Sequence, residues 1–262
     1  MGNFRLRAKG ITKKRLSSLD NSNKDIARSN KIFTCLKNTN ERNIVNRWEK
    51  ITGLDDIVIS FVSDPIGSSF YSDKFPDLVS KIDSLGYDYI FVHYESDRNY
   101  FQNCCYKPYY IKTIFETTGK NILWIDGDTF LKKNLDQLMD KNKSFDLGLV
   151  SYTNSMGSFV ASPIYLKNTP ITKDILNSWE IHCSNKIEQG LCELDHDALK
   201  HNILPLFKHS VKINLCGIDF HNGNNLKNIN SEVPDKVLIL QEMRQIHHQR
   251  PFPGNTTDYI IV

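Results

Sequence analysis

Long apolar runs are missing from this sequence. No stretch approaches the roughly 20 residues needed to cross a bilayer, and the first residues lack the apolar centre of a secretory leader. That pattern excludes a transmembrane segment and predicts a soluble, cytoplasmic protein. Met1-Gly2 begins like an acylation signal, but the sixth position holds Leu6 where Ser or Thr is required, so lipidation is not expected. Paired C-x-x-C spacing is missing as well. The six cysteines (Cys35, Cys104, Cys105, Cys183, Cys192 and Cys216) are scattered, which argues against structural zinc, and without a leader reduced thiols are the default. Nor is there a large excess of one charge. Lys and Arg number 33 against 30 Asp and Glu, a net +3, with much of the excess between Arg5 and Arg15, so no nucleic-acid partner is implied. Internal repeats are absent, and low complexity is confined to the Asn-rich patch at 222–230. The sequon Asn255-Thr256-Thr257 carries no weight in a cytoplasmic chain.

What is present suits one α/β domain. Hydrophobic residues make up 40% of the 262 and charged residues 24%, enough apolar material for a real core. Residues 1–50 are polar and basic and read as an arm or helical lead-in, leaving 51–262 as the folded body. Ile57 to Val62 is a β-branched run ending at Ser63-Asp64-Pro65, the pattern of a buried strand. Phe75, Leu78, Val79, Ile82 and Leu85 recur at helical spacing until Gly86, and Tyr89 to Val92 makes a second strand. A helix from Pro108 to Gly119 buries Ile111, Ile114 and Phe115, and Ile122 to Ile125 is a third strand. Further on, Asn134 is placed to cap a short helix, and strands are expected at 145–150 and 158–161. Thr172 is read as the cap of a long helix through Ile187, and 195–204 as another helix. Strands alternating with helices predict an open, mostly parallel sheet, with ligands beyond the carboxyl ends of its strands.

Asp126-Gly127-Asp128 falls at such an end. In an extended segment the side chains at i and i+2 point the same way, so both carboxylates can reach one hard cation and leave positions open for phosphate oxygens. The intervening glycine would let a substrate come close. Lys107 at a helix start is suited to a phosphate, since its charge and free N–H groups favour the same anion. Asp195, preceding a helical run, reads as an N-cap. Asp197 is not needed for capping and is the better candidate for chemistry.

Three stretches carry a resemblance to a known family: Lys107-Pro108 ahead of Asn121 to Thr129, then Met156-Gly157-Ser158-Phe159, then Asp195-His196-Asp197-Ala198-Leu199. Together they resemble the GT-A glycosyltransferases with a D-x-D motif, and within them the glycogenin-like nucleotide-diphospho-sugar transferases. The likeness spans residues 57 to 204, and His196 departs from it where Gln is common. It implies a Rossmann-like, mostly parallel sheet flanked by helices. It also implies a nucleoside diphosphate sugar donor, of which a UDP-sugar is the expected kind, and Mn²⁺ or Mg²⁺ held by Asp126 and Asp128. Asp64 and Glu95 would contact the nucleoside, and Gly157 and Ser158 the sugar through the main chain. Asp197 and Asp195 would orient the sugar or act as base toward an acceptor hydroxyl on a glycan, protein or small molecule. A late histidine would complete the metal site, with His247, His248 and His221 as candidates. Leu240-Gln241-Glu242 would form the strand leading to the pair.

Two other readings compete. Ile125-Asp126-Gly127-Asp128-Thr129 is similar to the first motif of haloacid-dehalogenase-like phosphatases, with Asp126 as nucleophile, although the threonine comes one position early. That motif normally opens its domain, whereas here a complete βαβ unit precedes it. A catalytically inactive nucleotide-sugar-binding module is the third reading.

Overall fold

The computed structural model describes residues 30–32, 34–36, 42–151, 156, 159–191, 193–216, 221–222 and 239–241. Two β-branched stretches, β2 (Asp56–Asp64) and β3 (Asp88–Ser96), pair in parallel along their length, and β4 (Asn121–Trp124) adds in parallel on the other side of β2. Alternate residues of each strand enter different cores. Ile57, Ile59, Ile122 and Trp124 face one layer, while Val58, Val62, Leu123 and Ile125 face the other. Near-continuous burial along β2 and β3 is what a sheet covered on both faces requires.

The covering helices form where the periodicity predicts. Helix α1 (Phe75–Ser84) buries Phe75, Leu78, Val79 and Ile82, and Gly86 takes a φ of +84° just beyond its end. After the short α2 (Tyr100–Cys104), α3 (Lys107–Thr118) buries Ile111, Ile114 and Phe115 and stops at Gly119, whose φ of +63° is left-handed. On the α1 face lies α4 (Asp136–Asn142), and on the α3 face α5 (Pro170–Glu188). Two caps differ from expectation. Thr169, in an extended conformation, accepts a hydrogen bond from the Thr172 N–H at 3.3 Å, so it caps α5 and Thr172 lies inside. Helix α4 follows Leu135 with no side-chain cap, because Leu135 is anchored instead by its N–H to the Tyr87 hydroxyl at 2.7 Å.

The sheet has seven strands in the order β1-β3-β2-β4-β7-β6-β8. Strand β6 is Leu147–Ser151, β7 is Phe159–Leu166, and β8 is Ile213–Cys216. Strand β7 runs antiparallel to both β4 and β6, while β8 is parallel to β6. Residues 42–50, assigned by composition to the arm, are instead strand β1 (Arg42–Lys50), antiparallel to β3 at the sheet edge. An edge strand has solvent on one side and tolerates the polar residues that made this stretch read as unstructured. Residues 1–29, with the basic cluster, lie outside the described residues, as do the sequon and most of the Asn-rich patch.

A second, three-stranded sheet is formed by β5 (Thr129–Leu131), β10 (Ile239–Gln241) and β9 (His221–Asn222), in the order β5-β10-β9. The Asp126-Gly127-Asp128 segment is the turn that joins β4 of the large sheet to β5 of the small one. Among the described residues, no helix is long and apolar enough to cross a membrane.

Candidate active site at the carboxyl ends of the central strands

Strand β4 ends at Trp124 and the chain turns at once, with the Thr129 N–H donating to the Asp126 carbonyl at 3.1 Å. The two aspartates therefore sit on a turn, and the extended-strand geometry expected for them does not apply. The packing of Gly127 explains why. A Cβ on Gly127 would lie 2.2 Å from Val62 Cγ1, 3.1 Å from the Phe61 carbonyl and 3.3 Å from Phe75 Cε2. The glycine is there to let the turn close against β2 and α1, which corrects the expectation that it clears space for substrate. On the other side, the Asp126 N–H donates to Ser162 Oγ at 2.8 Å, tying the turn to β7.

Lys107 is the first residue of α3, where Pro108 suits the opening turn, and its side chain is only 8% exposed. Its Nζ lies 2.8 Å from Asp195 Oδ2 and 3.2 Å from Asp126 Oδ1. It also lies 5.2 Å from the centroid of the Trp124 ring, within cation–π range. Burial works against the ammonium, and the Asp126 and Asp195 carboxylates outweigh it, holding the Lys107 pKa above its ordinary value. One buried cation is thus shared by two carboxylates at the edge where parallel sheets bind ligands.

Asp195 reaches this cluster because it is not a cap. It is the first residue of α6 (Asp195–Asp197), one position inside the cap at Leu194, and its carboxylate, 3% exposed, turns to Lys107. Its carbonyl accepts the Trp179 indole N–H of α5 at 2.9 Å. The helical stretch then widens to π-helix at Ala198–Ile203 and tightens to 3-10 at Leu204–Phe207, so the single short helix expected there has three pitches. Asp197 is held differently. Its side chain is 43% exposed and lies 3.4 Å from His196 Nε2.

The strand-end acids divide in the same way. Asp64 is fully buried and accepts the N–H groups of Tyr71 at 2.7 Å and Ser72 at 3.1 Å, with His93 Nε2 at 3.2 Å. Burial alone would raise its pKa, but bonds from His93, Ser72 and Tyr71 outweigh burial and hold it below the ordinary 3.8. Asp64 pins the loop before α1 and is not a water-exposed loop acid. Glu95 is half-buried and accepts from the Gly67 N–H at 3.4 Å. Asp128 occupies the turn half-buried. Gly157, Ser158, His247 and His248 lie outside the described residues, and for His221 only the backbone, in β9, is described. Among the described residues no group of three or more His, Cys, Asp or Glu side chains is arranged around a common metal position.

Four residues not singled out in the sequence belong to this site. Trp124 donates its indole N–H to Asp126 Oδ1 at 2.8 Å, and Ser162 accepts from the Asp126 amide. Tyr100 and Cys104, on α2, lie beside the cluster: burial, with Asp126 and Asp195 contributing, raises both pKa values, so both stay neutral. Tyr100 keeps 37% of its surface exposed. An aromatic two positions before the first aspartate of a D-x-D was a legible signal for Trp124. Nothing in the sequence marks Ser162.

The parallel β3-β2-β4 core, the antiparallel β7 inserted beside it and the acidic turn after β4 make this the fold of the GT-A glycosyltransferases. The crystal structure of a glycosyltransferase involved in glycosylation of the major capsid of PBCV-1 is similar to this chain. Its TM-score is 0.54 at 14% identity, covering 74% of this chain and 95% of that one. The galactosyltransferase LgtC, in complex with donor and acceptor sugar analogues, matches with a TM-score of 0.43 at 10% identity, over 72% of this chain and 87% of that one. Mouse xyloside xylosyltransferase 1 matches with a TM-score of 0.40 at 8% identity, over 72% and 98%. No protein-family model and no curated protein matches the sequence.

Proposed function

We propose that this protein is a metal-dependent, cytoplasmic glycosyltransferase that moves a sugar from a nucleoside diphosphate sugar, a UDP-sugar, to the hydroxyl of a glycan, protein or small-molecule acceptor. The observation that carries the reading is the buried Lys107 ammonium shared by Asp126 and Asp195 at the carboxyl ends of the parallel strands. Breaking a glycosidic bond to a diphosphate builds negative charge on the leaving group, and a preorganised cation in a water-poor pocket lowers that barrier most.

Asp126 and Asp128, oxygen donors on one turn, fit a hard divalent cation, and they are the residues that would hold Mn²⁺ or Mg²⁺. The ion would supply Lewis-acid stabilisation of the diphosphate. Lys107 adds a second positive charge, and Asp195 fixes where that charge sits. Asp197, on the same helical turn and open to solvent, is the carboxylate suited to orient the sugar or take a proton from the acceptor. Asp64 would act on the nucleoside by shaping the loop it pins, and Glu95 by lying at the next strand end. Gly157 and Ser158 keep their proposed main-chain contacts to the sugar, and His247 or His248 the proposed third metal position. The GT-A fold favours this reading over the phosphatase, in which Asp126 would be a nucleophile.

Calorimetric titration with UDP, in Mn²⁺ and again in EDTA, tests the proposal. Binding is expected to need the metal, and an affinity indifferent to the chelator would sink the metal bridge at Asp126 and Asp128. Slow release of UDP from a UDP-sugar would separate an enzyme from an inactive binding module. Cleavage of p-nitrophenyl phosphate that vanishes in Asp126→Ala would hand the site to the phosphatase reading.

A further inference from the structure

The D-x-D reading leaves open what aims the first carboxylate. A carboxylate rotates easily about its terminal torsion, so two aspartates on a turn do not by themselves define a metal position. Ser162 fixes the main chain of Asp126 through its amide, and this leaves the side chain to be oriented by something else.

Trp124 has the geometry to do it. Its indole N–H meets Asp126 Oδ1 at 2.8 Å, the same oxygen that Lys107 Nζ approaches at 3.2 Å. The ring itself has little freedom. It is 2% exposed, and it packs against Phe61 of β2 with centroids 5.4 Å apart and against Tyr110 of α3 at 6.0 Å. Tyr110 is locked in turn, its hydroxyl donating to the carbonyls of Ser60 and Ile90 at 2.9 and 3.0 Å. The ammonium of Lys107 lies over the indole 5.2 Å from its centroid. One rigid aromatic side chain therefore bears on the rotation of the Asp126 carboxylate and lies under the Lys107 cation, which Asp195 holds from the other side at 2.8 Å.

We propose that Trp124 is a positioning residue for the metal and diphosphate site, so that the functional unit is Trp124-x-Asp126-x-Asp128. The metal part of this inference rests on the proposed role of Asp126 as a metal ligand, and the orientation of Asp126 by Trp124 stands on the contact itself. Groups that orient metal ligands from behind change metal affinity or activity by about 10- to 100-fold when removed, and Trp124 belongs with them.

The test uses the full chain with Trp124→Phe and, because the smaller ring leaves a gap, a second variant carrying benzothienylalanine at position 124. That residue keeps the fused rings and replaces only the N–H by sulfur. Expected for the second variant are an unchanged melting temperature and Mg²⁺ affinity in the presence of UDP weakened about 10- to 100-fold. In ¹⁵N-indole spectra of the wild type, the Trp124 resonance, assigned by its loss in Trp124→Phe, should move on adding Mg²⁺ and UDP. Wild-type metal affinity in the benzothienylalanine variant would overturn the proposal while leaving the D-x-D reading intact. If wild-type UDP binding ignores metal, the metal reading fails instead, and the indole resonance decides the positioning claim. It stands if both UDP and Asp126→Asn shift that resonance, and falls if either leaves it in place.

Discussion

Two buried lysines meet carboxylates at opposite ends of the same central strands. At the amino ends, Asp88 at the start of β3 is fully buried and accepts from the Thr52 N–H and Oγ1, both at 2.7 Å, and from the Gly53 N–H at 3.3 Å. Lys120, just before β4, adds its Nζ at 3.2 Å and also donates to the Leu54 carbonyl. Backbone groups surround this pair, so one carboxylate and one ammonium close a loop onto the sheet. At the carboxyl ends Lys107 serves two carboxylates from two other elements, beside a turn that leads out of the sheet. The Asp88 site is closed by the main-chain N–H groups of Thr52 and Gly53 together with the Thr52 hydroxyl, all from one loop, while the Lys107 site is assembled from side chains of separate elements at a strand edge.

Replacing each lysine by methionine should separate the two sites. Lys107→Met should lower release of UDP from a UDP-sugar by up to about 1,000-fold, the scale of losing a preorganised charge at a developing anion. Lys120→Met should leave turnover intact below its melting temperature and instead destabilise the fold by about 3–5 kcal/mol, the range for stranding a buried charge. Chemical denaturation and single-turnover assays on both variants check this, and an active Lys107→Met protein would remove the distinction between the two ends.

Asp197→Asn should come next in size. Its side chain is 43% exposed and holds no element in place, so the melting temperature and UDP affinity should persist while transfer falls about 100-fold. Unimpaired transfer would take Asp197 out of the site and leave Asp195 as its only acid on α6.

The smallest effect concerns Asp64, a carboxyl-end acid that behaves like the Asp88 site. Its pKa is lowered on folding, so its stabilising contribution is present above the ordinary value of 3.8 and is lost as pH falls through the folded value. Asp64→Asn should cost about 1–3 kcal/mol at neutral pH, the penalty for unsatisfied buried partners. It should also flatten the fall of melting temperature below about pH 4, near that ordinary value. A steep acid limb kept in the variant would mean that other groups carry it.

The strands and helices around the site were legible because each is longer than one period and repeats its own pattern. Ile57 to Val62 buries both faces, Phe75 to Ile82 repeats at helical spacing, and Gly86 and Gly119 end their helices where expected. Strand β1 was not legible, since its polar residues tolerate an edge and also suit a disordered arm. The N-cap assignments at Asn134, Thr172 and Asp195 each missed the helix start by one to three positions: α4 follows Leu135, Thr169 caps α5, and Asp195 lies one residue inside α6 with its carboxylate on Lys107.

The alternation of strand and helix, the acidic turn after the third buried strand and the lysine at a helix start were all readable in the chain order, because each depends on neighbours a few residues away. That Lys107 bridges Asp126 and Asp195, that the Trp124 indole donates to Asp126, and that Gly127 packs its turn against Val62 emerge only when the chain is folded. These contacts join residues from separate elements. Their partners are chosen by which charges the folded chain buries together, and a buried charge accepts the nearest opposite one whatever its distance along the sequence.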